Sequence, residues 1–88
     1  MWVRTAFDSD MQTQKLINLN KIDVVVIEVM GNVGRILACF PDETTITLGE
    51  YRDYAAKKVF EELSLFVGQD KTYFMPEEDA ANEKYKEA

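Results

Sequence analysis

The run Val24-Val25-Val26-Ile27-Glu28-Val29-Met30 constrains this chain more than any other stretch. Six apolar residues, mostly β-branched, are interrupted by a single glutamate, a pattern that fits a strand in a small sheet. Asn20 and Asp23 lie before the run, Gly31-Asn32 follows it, and a second apolar run extends from Val33 to Phe40. Gly and Asn tolerate positive φ, so a two-residue reversal predicts a hairpin pairing Met30 with Val33 and Glu28 with Arg35. Val25, Ile27, Val29, Ile36, Ala38 and Phe40 then share one face. Val24, Val26, Met30, Leu37 and Cys39 share the other, with Glu28 and Arg35 among them.

Other segments are placed by asking what covers this hairpin. Trp2 to Ala6 reads as a short strand, and Lys15-Leu16-Ile17-Asn18-Leu19 as another. Asp8-Ser9-Asp10 between them is a turn signal. Pro41-Asp42-Glu43-Thr44 marks a further turn, with Asp able to cap local amides. Thr45-Ile46-Thr47-Leu48 alternates cleanly and ends at Gly49. The period then changes from two to 3.6. Asp53 can cap a helix over about Tyr54 to Val67, with Gly68 at its boundary. Ala56, Val59, Phe60, Leu63, Phe66 and Val67 supply its apolar stripe. Lys71 to Met75 reads as an extended segment, and Pro76 disfavours its continuation as an inner strand.

The expected architecture is α+β: a four- or five-stranded, mainly antiparallel sheet with one amphipathic helix packed on one face. With 88 residues, the chain has room for one core. Residues 1–75 read as the compact β-rich domain and residues 76–88 as an acidic, flexible or weakly helical tail. The 16 acidic and 10 basic side chains give a net charge of −6, of which the tail carries −3. That field opposes binding to duplex DNA or an anionic membrane. The apolar runs are too short to span a bilayer, and the N-terminus lacks a signal-peptide hydrophobic segment, so the expected location is cytoplasmic.

No reactive constellation is legible. There is no histidine and one cysteine, Cys39. Histidine-dependent acid–base chemistry, a Ser-His-acid triad and a Cys-His pair therefore cannot be assembled from this chain. Asp8-Ser9-Asp10 lacks the spacing and terminal glutamate of an EF-hand, and Gly31-Asn32-Val33-Gly34 lacks the Gly-Lys-Ser/Thr of a phosphate loop. No catalytic residue, cofactor or metal site is assigned. Glu28 and Glu50 are expected to be solvated or paired with Arg35 or Arg52.

The helix can cover only one face of the hairpin. The apolar residues on the other face need the terminal segments, through Trp2 or Tyr73-Phe74-Met75, or else a second copy or another protein. Trp2, Val24, Val26, Glu28, Arg35 and Leu37 are thus candidate protein contacts. A single-stranded nucleic-acid module using Arg4, Arg35, Tyr51 and Arg52 is the competing reading, provided folding gathers those residues. An unrecognised enzyme is third.

Trp2-Val3-Arg4-Thr5, Lys15-Leu16-Ile17-Asn18-Leu19 and Ile46-Thr47-Leu48-Gly49-Glu50-Tyr51 before the helix resemble small accessory proteins of Gram-positive phages and prophages. Residues 2–67 carry the resemblance. It implies an accessory or regulatory protein acting on a host factor, without transferring any site residue.

Overall fold

The computed structural model describes all residues except 23, 67, 68, 70, 87 and 88, together with the side chain of residue 21. Asp23 and the expected helix boundary at Val67 and Gly68 lie outside the described residues.

Among the described residues, the α+β fold contains six strands in two sheets and two α-helices, rather than one sheet and one helix. The longer sheet is an antiparallel meander of β3 (Val24–Met30), β4 (Val33–Cys39) and β5 (Thr45–Arg52). The shorter sheet centres on β1 (Trp2–Arg4), antiparallel to β2 (Leu16–Asn18) and parallel to β6 (Thr72–Phe74). A 3₁₀ turn, Leu19–Lys21, leads from β2 towards β3. The sheets meet where the Ala6 amide donates to the Leu48 carbonyl at 2.9 Å. Separation into two sheets follows from the parallel β1–β6 pairing, a long-range choice that local periodicity does not encode.

The hairpin has the expected register, pairing Met30 with Val33 and Glu28 with Arg35. Gly31 adopts φ +62°, while Asn32 keeps negative φ. Positive φ at the first turn residue alone is the type II′ pattern, in which glycine avoids a Cβ penalty.

The meander packs its inner face on α1 (Asp53–Phe66), whose Ala55, Ala56, Val59 and Leu63 are buried. Ile36, Ala38 and Leu48 meet this stripe, while Val25 and Ile27 are half-buried. Gly34 permits the close approach, because a Cβ there would collide with that of Ala56. The start of α1 is tied to the hairpin by the Asp53 amide, which donates to the Asn32 carbonyl at 2.9 Å. That bond satisfies an amide that lacks an intrahelical acceptor.

β5 extends beyond Gly49. Ile36 pairs with Gly49 but Leu37 pairs with Thr47, leaving Leu48 as the extra residue of a bulge. The bulge reverses the alternation of the strand: Ile46 is half-buried before it and Tyr51 buried after it, while Glu50 is exposed.

Val3, Ile17, Tyr73 and Met75 extend the core from the shorter sheet. The tail contains α2 (Glu78–Lys84), which buries Ala81. Asn82 accepts a hydrogen bond from the Arg52 amide at 2.9 Å and, through its carbonyl, one from the Tyr54 hydroxyl at 3.2 Å. The Tyr73 and Tyr85 hydroxyls both donate to the Glu62 carboxylate, at 3.1 and 2.9 Å. Burial, then the adjacent carboxylate, raises the pKa of both tyrosines above the ordinary value.

Candidate protein-contact surface

Inward packing of Val25, Ile27, Ile36 and Ala38 leaves alternate residues on the outer face of the meander. Its register builds cross-strand rows: Val24, Cys39 and Thr45; Val26, Leu37 and Thr47; Glu28, Arg35 and Glu50; Met30, Val33 and Arg52. Val24 is 49% exposed and Met30 72%, and Val26 and Val33 are also exposed. Leu37 and Cys39 are half-buried.

The polar row crosses this apolar surface. Arg35 Nε donates to Glu50 Oε2 at 3.1 Å, and Arg35 Nη1 lies 4.0 Å from Glu28 Oε1. The side chains are about half exposed, so each contact contributes only about 0.2–1 kcal/mol. Their larger consequence is positional: one guanidinium lies between two carboxylates, leaving the surrounding valines as the main source of contact area.

Among the described residues, the terminal segments leave Val24, Val26, Met30 and Val33 exposed, while residues 6–10 and Glu78 line a cleft with Arg35, Thr47 and Glu50 at the β5 side. Tyr73 and Met75 enter the core, whereas Trp2 and Phe74 are exposed on the shorter sheet. The structure therefore brings together Val24, Val26, Glu28, Arg35 and Leu37, but places Trp2 on another sheet. Glu50 and Val33 also belong to the surface, although neither was among the candidate protein contacts. Gly49 carried a signal for Glu50: an isolated glycine inside a strand pattern can mark the bulge that turns Glu50 outward.

The alternative nucleic-acid residues are dispersed. Arg4 lies over the Phe74 ring, 4.3 Å from its centroid, on the shorter sheet. Arg35 is occupied by its two carboxylates, and Arg52 lies at the far row of the meander. Tyr51 is only 1% exposed, and its hydroxyl donates to the Pro76 carbonyl at 2.6 Å. Burial, assisted by Tyr73, Glu77 and Glu78, raises its pKa above the ordinary tyrosine value. The bulge that turns Glu50 outward is what turns Tyr51 away from solvent.

A polar cleft beside the outer face is lined by Phe7, Asp8, Arg35, Glu50 and Glu78, among others. Asp8 is committed to a turn, accepting bonds from the Asp10 and Met11 amides at 3.0 and 3.1 Å. Among the described residues, no group of three or more His, Cys, Asp or Glu is placed to hold a metal ion, and no helix is long and apolar enough to cross a membrane.

The fold and surface define an α+β chain whose outer sheet face exposes Val24, Val26, Met30 and Val33. No family model, curated protein or solved structure matches it.

Proposed function

We propose that this chain is a non-enzymatic protein-interaction module whose contact surface is the outer face of β3 and β4. The supporting observation is the cluster of Val24, Val26, Met30 and Val33, left exposed on a regular sheet whose opposite side already has its helix. Exposed contiguous apolar area of this kind favours association. Arg35, held by Glu50 and Glu28, orients a partner, while the valines and Leu37 provide the area removed from water. In a phage or prophage setting, this surface would act on a host factor as an accessory or regulatory contact.

The test compares wild type with a Val26→Lys/Leu37→Lys variant in affinity capture from host extract. Both proteins are first checked for the same far-ultraviolet circular dichroism. Partners retained by wild type and lost by the variant support the proposal. Identical captured sets contradict it.

A further inference from the structure

We infer that the occupant of the free β3 edge is a second copy of this chain, paired antiparallel through β3 about a two-fold axis at Ile27. This rests on the reading of the chain as a protein-interaction module and adds, at the edge of the same β3 rather than on its outer face, the identity and register of one partner. Among the described residues, strand β3 is bonded on one side only, since the meander order is β3-β4-β5. Met30 and Val33 close a two-residue turn and therefore form a hydrogen-bonded pair. Alternation along the ladder directs the backbone groups of Val24, Val26, Glu28 and Met30 towards β4. Those of Val25, Ile27 and Val29 point out from the edge. Among the described residues, no backbone bond outside the ladder reaches Val25, Ile27 or Val29.

The other sheet edges are managed differently. β2 and β6 each contain only three residues. β5 is engaged at Leu48 by the Ala6 amide and at Arg52 by Asn82. β3 is seven residues long, contains no lysine or proline, and shows no register shift against β4. Of the usual protections against strand addition, such an edge carries only the charge of Glu28.

The sequence of β3 fits its own reverse. With the axis at Ile27, Val25 faces Val29 of the second copy, Ile27 faces its equivalent, and Val24 faces Met30. Every outward backbone group in the three central residues then has a partner. Glu28 faces Val26 rather than another Glu28, whereas an axis at Glu28 would oppose like charges directly. Val29, 42% exposed despite lying on the helix side, gains an apolar neighbour in this register. The result is one continuous six-stranded sheet, with each Arg35 still held by its own Glu28 and Glu50. The unpaired backbone selects an extended strand, and the pairing pattern selects this strand.

Sedimentation equilibrium of the purified full chain, followed by oxidation of an Ile27→Cys variant in a Cys39→Ser background, tests the inference. The expected mass at tens of micromolar is twice the 10.1 kDa chain, and Ile27→Cys is expected to give a covalent dimer. Facing residues in a hydrogen-bonded pair have Cα atoms about 5.5 Å apart, within disulfide range. Val29→Lys, at an exposed position, is expected to return the mass to that of one chain. A wild-type monomer at all concentrations overturns the inference, as does a dimer that Val29→Lys leaves intact. A wild-type monomer that still captures a protein through Val26 and Leu37 refutes self-pairing alone. Capture unaffected by Val26→Lys/Leu37→Lys instead refutes the underlying interaction surface.

Discussion

Glu50 reaches Arg35 at 3.1 Å because β5 carries one extra residue at Leu48. Without that bulge, the strand phase would direct Glu50 towards α1 and Tyr51 towards solvent. One local insertion therefore completes both the charged row outside and the core inside. Because the Arg35–Glu50 pair is half exposed, a double-mutant cycle with Arg35→Ala and Glu50→Ala is expected to give a coupling of about 0.2–1 kcal/mol. Denaturant midpoints should show this coupling shrinking at high salt. A value that is large and salt-independent would contradict the exposed geometry.

Gly34→Ala is expected to destabilise the protein by about 1–3 kcal/mol through overpacking against Ala56. Combining it with Ala56→Gly should recover part of the loss, despite the helix-propensity cost of glycine. Urea unfolding of the two single variants and the double variant measures the recovery. Strictly additive losses would contradict the contact.

The Tyr51, Tyr73 and Tyr85 hydroxyls hold their protons above the ordinary value of 10.0. The unfolded chain releases these protons near that value while the native chain retains them. Their stabilising contribution is therefore complete below about pH 10 and is lost as pH rises towards the native pKa values. Urea midpoints are expected to fall through this alkaline window. Tyr51→Phe should make the fall shallower, after allowing for loss of its bond to Pro76. A midpoint that rises there would contradict the account.

Asn82 joins α2 to the end of β5, so Asn82→Ala is expected to cost about 1 kcal/mol and speed exchange of the Arg52 amide. The Asn82 carbonyl that accepts from Tyr54 remains in the variant, which separates the side-chain effect from general loss of the helix. Unchanged Arg52 exchange would show that this amide is held by another interaction.

Self-pairing should respond to salt in the opposite direction from an attractive surface ion pair. Each copy carries −6, so higher ionic strength is expected to screen the repulsion and tighten the dimer. Sedimentation across a salt series measures this. Dissociation by added salt would point instead to an interface held by opposite charges.

The hairpin, its Glu28–Arg35 register and the apolar stripe of α1 were legible because each depends on neighbouring sequence. Two adjacent turn residues set the register, and the 3.6-residue period set the helix face. The shorter sheet was not legible as such, since the Val3–Tyr73 pairing joins segments separated by most of the chain. Gly49 also looked like a strand end, although it sits inside the β5 bulge. This obscured the fate of Tyr51 and Glu50. At the candidate surface, Val24, Val26 and Leu37 followed from alternation, whereas the separation of Trp2 depended on the tertiary division into two sheets.

Residue-resolved amide exchange in β3 is the most direct measurement of whether its free edge and outer face form a contact surface. Protection of Val25, Ile27 and Val29 is expected to rise with protein concentration, with accompanying shifts of the Val24 and Val26 methyl signals. Fast exchange of those three amides at every concentration, with the methyl signals unmoved even when a captured partner is added, would contradict it.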